Sequence, residues 1–400
     1  MAVDTLALLN RAPRWMRRAA TAMTQGRGPL GGIYDRLAPG YGQADIPALP
    51  APASTAIRLV IGPANEAEQG YQWARAFERE VPSTSAIAMM GIDPGGYSVR
   101  ADLVVPTPVY LRSREWHDSF DTYLRGCTHL IMESGMPLLG RRHRSDAYVE
   151  ARHFAEAGLR VAMMFHGSDL RLPSQHARES VWSPFTDPTV PSALMEDRAS
   201  RNIREVARLG LPAFVSTPDL LRYLPQAIWC PVVIDPAQWA TQRVAVSDRP
   251  VVLHAPSNSG IKGSERVEPV LRALEAEGLI EYRRVSGLRH EQMRRQYAEA
   301  DIVLDQFLIG SYGVVACEAM AAGSIVIGHV DDAARRSIAA ATGQQVPIVE
   351  ATVESVGAVL RGLVADRQSH AGIRAQGIAY VDAVHDARVS AAAVRGFLES

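Results

Sequence analysis

The sequence predicts an α/β chain of two parallel-sheet domains facing across a cleft. Three observations carry that expectation. Short apolar runs alternate with longer amphipathic stretches, the pattern of strands and helices taken in turn. The alternation pauses at a polar bridge over residues 235–249 and then starts again. The length, 400 residues, suits two domains of about 100–200 residues each. Strands separated by helices imply parallel pairing with both sheet faces covered.

Residues 1–28 hold five arginines and one acid. Pro13 suits a first helical turn. Beyond it, Arg14, Arg17, Arg18 and Thr21 share one face, with Trp15, Met16, Ala19, Ala20 and Met23 on the other. Such a helix lies on a membrane surface, packs on the protein or a partner, or frays. Peripheral membrane contact through residues 13–23 is therefore one of three readings. The apolar stretch is too short, and too interrupted by arginine, for a secretory signal. Residues 25–56, rich in Gly, Pro and Ala, read as a linker, which sets 1–56 apart from the domains.

The first domain is expected over 57–240. Its strands fall at 57–61, 86–90, 103–105, 129–132, 161–165 and 213–215, with helices at 70–80, 145–156 and 194–209. The second is expected over 241–400. Its strands fall at 251–253, 280–285, 302–304, 325–327 and 346–349. Its helices fall at 265–277, 291–300, 313–322 and 351–364, and the chain is helical in character from Ala371, the last helix being a candidate to cross back.

Composition excludes several classes. With 47% hydrophobic and 21% charged residues the chain is an ordinary globular one. A net charge of −1 gives no basic field for nucleic acid, and none is expected as a partner. Cys127, Cys230 and Cys317 are far apart and form no CxxC pair, so a reducing cytoplasm is the expected compartment. No apolar run reaches the roughly 18–20 residues of a membrane span.

Of the 42 basic residues, 41 are arginine, and the only lysine is Lys262. Chance survival at a surface site is one reading. The other is a position that needs a compact ammonium which a planar guanidinium cannot replace. Ligands of such sheets bind beyond the carboxyl ends of the strands, so the loops that follow strands matter most. Lys262 lies in one of them, His254-Ala255-Pro256-Ser257-Asn258-Ser259-Gly260-Ile261-Lys262-Gly263, just before a helix. Small residues let a backbone approach a ligand, and a helix start favours anions, so this loop reads as a diphosphate site. It lacks the spacing of a P-loop.

A second loop runs Gly310-Ser311-Tyr312-Gly313-Val314 into a helix that ends near Gly323. Glu318 is the one charged residue of that helix. It either lies on a solvent stripe or binds a ligand, and a vicinal diol such as a ribose suits a carboxylate. In the first domain, 161–165 leads into His166-Gly167-Ser168-Asp169. His166 is either structural or part of a cleft; Asp169 caps the next helix, pairs with Arg171 or faces the ligand. No GxGxxG follows a strand, and no HExxH, paired CxxC, DxD or GxSxG occurs, so neither a dinucleotide nor a metal is expected.

Taken together these loops resemble the GT-B glycosyltransferases of the family 4, or group 1, type, over about residues 57–400. The resemblance is strongest at ADIVLDQFLIGSYGVVACEAMAAG (300–323). HAPSNSGIKG (254–263), FHGSDLR (165–171), and STPDLLRYLP (216–225) followed by VVIDPAQW (232–239) add to it, in the expected order. It implies two Rossmann-like domains, the donor nucleotide held mainly by the second. It also implies sugar transfer from a nucleotide-diphosphate sugar to an acceptor hydroxyl of a glycan, lipid or small molecule, with retention and without metal or cofactor.

Lys262 would then neutralise the departing diphosphate. Glu318 matches the second glutamate of the family's E-x7-E motif and would bind the ribose. His166 would lie near the transferred sugar. These three are the candidate catalytic residues. Substrate contacts would come from Asn65, Gly70 and Asp169 in the first domain. In the second they would come from Ser257, Asn258, Ser286 and Gly287, the last two near the base, and from the segment Gly310, Ser311, Tyr312, Gly313 and Val314, whose amides around Tyr312 and Gly313 would contact the sugar or the phosphates.

Three departures stand out. The first motif glutamate is Gly310, the usual basic residue five before the lysine is Ser257, and the frequent Pro-Ser after the strand is Asp305-Gln306. They fit a divergent active branch, or a degenerate GT-B chain that binds a glycan and scaffolds envelope or polysaccharide assembly. A GT-B epimerase is a third reading, for which no acid–base pair is evident.

Overall fold

The computed structural model describes Pro13, Met16 and residues 40–92, 99–240, 249–256, 258–288 and 290–400. The basic helix expected at 13–23 lies outside these apart from Pro13 and Met16, and Ser257 lies outside them as well.

The first sheet has seven parallel strands: β1 (Ile57–Gly62), β2 (Thr84–Ile92), β3 (Leu103–Pro106), β4 (His129–Glu133), β5 (Arg160–Phe165), β6 (Ala213–Val215) and β7 (Ile228–Trp229). Their order across the sheet is β3-β2-β1-β4-β5-β6-β7. Val60 in β1 sits opposite Ile87 on one side and Leu130 on the other. Leu59, Val60 and Ile61 are all buried, because helices cover both faces and no alternation is needed. β7 escapes sequence reading because its two residues carry no period.

Four helices of this domain bear on the site or its surroundings: α1 (Gln69–Glu80), α2 (Arg114–Arg125), α3 (Ala147–Glu156) and α4 (Ser192–Leu209). α2 was not expected from the sequence. The Ser113 hydroxyl caps it by accepting from the Trp116 amide at 3.2 Å. Trp116 and Phe120, one turn apart, then bury against the sheet.

The second sheet has five parallel strands: β8 (Val251–His254), β9 (Glu281–Arg284), β10 (Ile302–Leu304), β11 (Ile325–Gly328) and β12 (Val349–Glu350). Their order is β12-β11-β10-β8-β9. α5 (Ser264–Ala276) and α6 (Val314–Ala321) follow β8 and β10. The expected helix at 351–364 starts later, at Val356, because Thr352 and Ser355 bond each other in a turn first.

α7 (His370–Val384) packs beside β11 and α6, and α8 (Arg388–Leu398) lies against the first domain. Ala391, Val394 and Leu398 of α8 share a buried cluster with Trp73, Phe77 and Phe214. Each large side chain so buried contributes about 1.5–3 kcal/mol. The two domains are therefore joined twice, by the linker at 231–240 and by α8. No helix among the described residues is long and apolar enough to cross a membrane.

Strand order reverses between β1 and β4 in one sheet and between β8 and β10 in the other. Chains that leave adjacent strands in opposite directions open a crevice there. The carboxyl ends of β1, β4, β8 and β10 are where a site is expected.

Candidate active site

The first half of the site is built around Glu133, the last residue of β4, whose side chain is 0% exposed. Its Oε2 accepts the amides of Ala64 at 3.0 Å and Asn65 at 2.8 Å, from the loop after β1. Its Oε1 lies 3.1 Å from Nε2 of His166, just beyond β5. Trp73 of α1 stacks on the imidazole, with ring centres 5.6 Å apart and 15° between planes. Burial alone lowers an imidazole pKa, but the Glu133 hydrogen bond and charge, with Asp169 and Glu66, outweigh it and raise His166. His166 is thus a hydrogen-bond donor to Glu133, held toward its charged form.

Asp169 shapes the turn instead of facing the cleft. It accepts the amides of His166 and Gly167, at 3.0 and 2.7 Å, and the Ser134 hydroxyl at 2.8 Å. Burial pushes its carboxyl up, and His166, Arg198 and these amides more than reverse that. Arg171 pairs with Asp219 at 2.6 Å, leaving Asp169 to the loop.

Asn65 is also committed to the loop. Its Oδ1 accepts the Tyr71 amide at 3.0 Å and its Nδ2 donates to the Arg100 carbonyl at 2.9 Å. A Cβ on Gly70 would lie 3.0 Å from Asn65 Oδ1 and 3.5 Å from Glu133 Oε1, so a small residue keeps that approach open. Asn65, Ala67 and Glu68 all have positive φ, at 46°, 49° and 67°. Such a run is strained for non-glycine residues, and its hydrogen bonds must hold it. Glu68 accepts the Arg100 amide at 3.0 Å and its Nε at 2.6 Å. Gln69 brackets the Val233 amide and carbonyl, tying the loop to the interdomain linker.

The second half starts at His254, fully buried at the end of β8. Its ring nitrogens meet Ser264 Oγ at 2.8 Å and the Leu304 carbonyl at 3.1 Å. Burial lowers its pKa to about 4, so it is a neutral structural pin. Asn258 caps the short helix Ser259–Lys262 by accepting the Ile261 amide at 3.2 Å. Gly263 ends that helix at φ +80°, where a Cβ would lie 2.8 Å from Leu308.

Lys262 Nζ lies 3.1 Å from Asp305 Oδ1, its side chain only 11% exposed. Asp305 Oδ2 accepts the Gly313 amide at 3.0 Å, so one carboxylate links the two loops. Glu318, on α6, accepts from the Tyr297 hydroxyl at 3.2 Å. Burial raises its pKa to about 8; the Tyr297 bond and Lys262 oppose the shift and Glu68 of the first domain adds to it. Glu318 thus feels charges from both domains. Trp239, in the linker, packs on the Tyr297 ring at 5.6 Å.

The remaining expected residues fall into two groups. Val314, at the start of α6, and Ser286 and Gly287, exposed beyond β9, lie at the carboxyl edge of the second sheet. The Val314 and Val315 amides, in the first helical turn, close no intrahelical bond. Tyr312 and Ser311 face inward instead. The Tyr312 hydroxyl meets Tyr380 at 2.7 Å and His385 at 3.1 Å, and Ser311 is buried beside it. Gly310 has φ +73°, and a Cβ there would lie 2.8 Å from Asp331 Oδ2. A glutamate does not fit without moving Asp331, which pairs with Arg222 of the first domain.

Sequence reading missed Glu133, Asp305, Trp73 and Tyr297. The available signal was a charge directly ending an apolar run: HLIM-Glu133 and IVL-Asp305. A cavity of about 680 Å³ opens at the opposite, amino-terminal ends of β1 and β2, lined by Arg58, Ser85 and Cys127. It touches none of these residues.

No family model matches the chain, and no curated protein does. Solved structures do. Sucrose-phosphate synthase from Thermosynechococcus elongatus aligns at a TM-score of 0.55 and 12% identity, over 86% of this chain and 98% of that one. HepE from Anabaena, in complex with UDP-glucose, aligns at 0.55 and 12%, over 86% and 99%. A glycosyltransferase from Rickettsia africae aligns at 0.53 and 9%, over 87% and 99%.

The chain has the GT-B fold.

In GT-B terms, Glu133–His166 sits at the switch point of the amino-terminal domain. Lys262–Asp305, with Glu318 behind it, sits at that of the carboxyl-terminal domain.

Proposed function

We propose that this GT-B protein transfers a sugar from a nucleotide-diphosphate sugar to an acceptor hydroxyl, with retention and without a metal. The observation that carries the reading is that Asp305 ties Lys262, at 3.1 Å, to the Gly313 amide, at 3.0 Å, at the start of α6, the helix that bears the buried Glu318. A diphosphate fits the Lys262 ammonium and the first amides of α6, and a ribose diol fits the Glu318 carboxylate. Lys262 is released from Asp305 as the phosphate arrives, and it stabilises the leaving group as charge develops. The lack of any DxD triplet supports a donor neutralised by this lysine. Binding of UDP-glucose by HepE, of like fold, supports the same class of donor.

His166, held by Glu133, donates to an oxygen of the transferred sugar. The acceptor hydroxyl attacks from the same face, and the leaving phosphate takes its proton. No protein nucleophile is assigned. The test is a thermal-shift panel with UDP, GDP, ADP and TDP on wild type and Lys262→Ala. One nucleotide at about 100 times its Kd should stabilise the wild type by about 2.7 kcal/mol and leave the variant unmoved. No shift with any of the four overturns the reading in favour of a non-catalytic scaffold.

A further inference from the structure

Away from the cleft, on the flank of the first domain, three side chains meet that the proposed reaction does not use. Asp121 lies on α2, His153 on α3, and His143 in the turn that precedes α3. One ligand atom of each lies within 4.8 Å of the other two. The rings of His143 and His153 are 4.5 Å apart, and His153 Nε2 is 3.8 Å from Asp121 Oδ1. Tetrahedral ligands about 2.0–2.1 Å from one zinc ion stand roughly 3.3 Å from each other, so little movement closes the set.

Two further facts point to a cation. His143 Nε2 and Asp121 Oδ1 are both buried and have no hydrogen-bond partner. Orphaned buried polar atoms are costly and call for an explanation. The second is Arg125. Its guanidinium donates to His153 Nε2 at 2.7 Å and to Asp121 Oδ2 at 3.0 Å. Arginine only donates, so in this arrangement both atoms act as acceptors toward a cation. Arg125 is 43% exposed and holds the place that the ion would take.

We infer that Asp121, His143 and His153 form a binding site for one first-row divalent transition ion of the zinc type. Two imidazoles and one carboxylate select such an ion over magnesium or calcium. The ion clips α2 to the turn and helix that follow β4, and leaves one coordination position to water. It takes no part in sugar transfer.

The experiment is titration of the metal-free full chain with Zn2+ alone, read by calorimetry and thermal shift. Wild type, His143→Ala, Asp121→Asn and Arg125→Ala are compared. The expected result is one equivalent bound with a rise in Tm. Either ligand variant weakens binding by at least about 10–100-fold, the loss typical even of an outer partner. Arg125→Ala binds as tightly or more tightly, because the competing guanidinium is gone. That outcome separates a metal site from an arginine-bridged polar cluster. Co2+ absorption in the visible, seen in wild type and Arg125→Ala only, gives a second readout. Equal zinc binding by wild type and His143→Ala, or none by wild type, overturns the inference. Unchanged far-UV circular dichroism of each variant excludes misfolding as the cause.

Discussion

The two switch points of this GT-B chain do opposite things with their charges. In the amino-terminal half the two buried carboxylates that hold His166 and its turn are already engaged. Glu133 takes two amides and an imidazole, and Asp169 takes two amides and a hydroxyl. In the carboxyl-terminal half the charges are held lightly. Lys262 has one close carboxylate, and Glu318 is a buried acid raised to about 8 beside a tyrosine hydroxyl. The first half is preorganised, and under the proposed function the second exchanges its Lys262–Asp305 pair for a charged ligand. That is the division expected where one half positions and the other binds a charged donor.

The sharpest way to break this comparison is Lys262→Ala. If the donor half depends on one ammonium, kcat/KM falls about 10²–10³-fold, as for loss of one charge-stabilising donor. Lys262→Arg recovers little, because a planar fork does not replace a compact charge in a nearly closed site. Steady-state kinetics that keep more than a tenth of wild-type activity in Lys262→Ala count against the assignment.

Next in size is Glu133→Gln, which tests the preorganised half. With the Glu133 carboxylate gone, only Asp169 and Glu66 still oppose burial at His166, and its pKa drops. We expect kcat to fall about 10–100-fold, at the lower end of what a placed acid–base group contributes. The alkaline limb of the pH–rate profile should also move to lower pH. The stability sign follows from the raised imidazole. The Glu133–His166 pair is fully stabilising below about pH 6.5 and loses that contribution as pH rises through the higher folded value. The Tm difference between wild type and Glu133→Gln is therefore larger at pH 6 than at pH 9. A pH-independent difference contradicts the pairing.

Third is the pH dependence of nucleotide binding. A diol donates to a carboxylate better than to a carboxylic acid, so ligand binding favours loss of the Glu318 proton. With the acid at about 8 in the free protein, affinity for the bound nucleotide rises between pH 7 and 9, by up to about tenfold. Calorimetry on Glu318→Gln should show a flat profile across that window. A slope that survives the substitution belongs to another group.

Much of this was legible in the sequence, and the gaps have physical causes. The alternation of strand and helix is written in local period, so β1, β5 and β10 stand within a residue of their expected bounds. Lys262 and Glu318 were visible because each is chemically alone in its segment. Glu133 was not, because its meaning comes from β1 and β5, which are distant in the chain and adjacent in the sheet. Asp305 read as a lapse from a family pattern, and only the fold puts it against Lys262. Tyr312 and Asp169 sit in loops that look ligand-facing, but their side chains go to His385 and to the turn amides. A loop's sequence fixes where its backbone can bend, and packing decides which way each side chain turns.

The smallest expected effect sharpens the account of the donor half. The residue five before Lys262 is a serine, yet an arginine is at hand. Arg284, ending β9, donates to Ser259 Oγ at 3.1 Å, on the same short helix as Lys262, and pairs with Glu268 at 3.2 Å. It is partly exposed and already neutralised, so its pull on a diphosphate is that of a screened surface charge. Such charges contribute about 0.2–1 kcal/mol. Arg284→Ala should therefore weaken nucleotide-diphosphate binding by only about 1.5–5-fold, and the difference should shrink as salt shortens the screening length. A loss near that of Lys262→Ala, independent of salt, shows instead a two-cation donor site in which Arg284 fills the missing basic position. The donor half is then as firmly built as the other, and the contrast between the two switch points disappears.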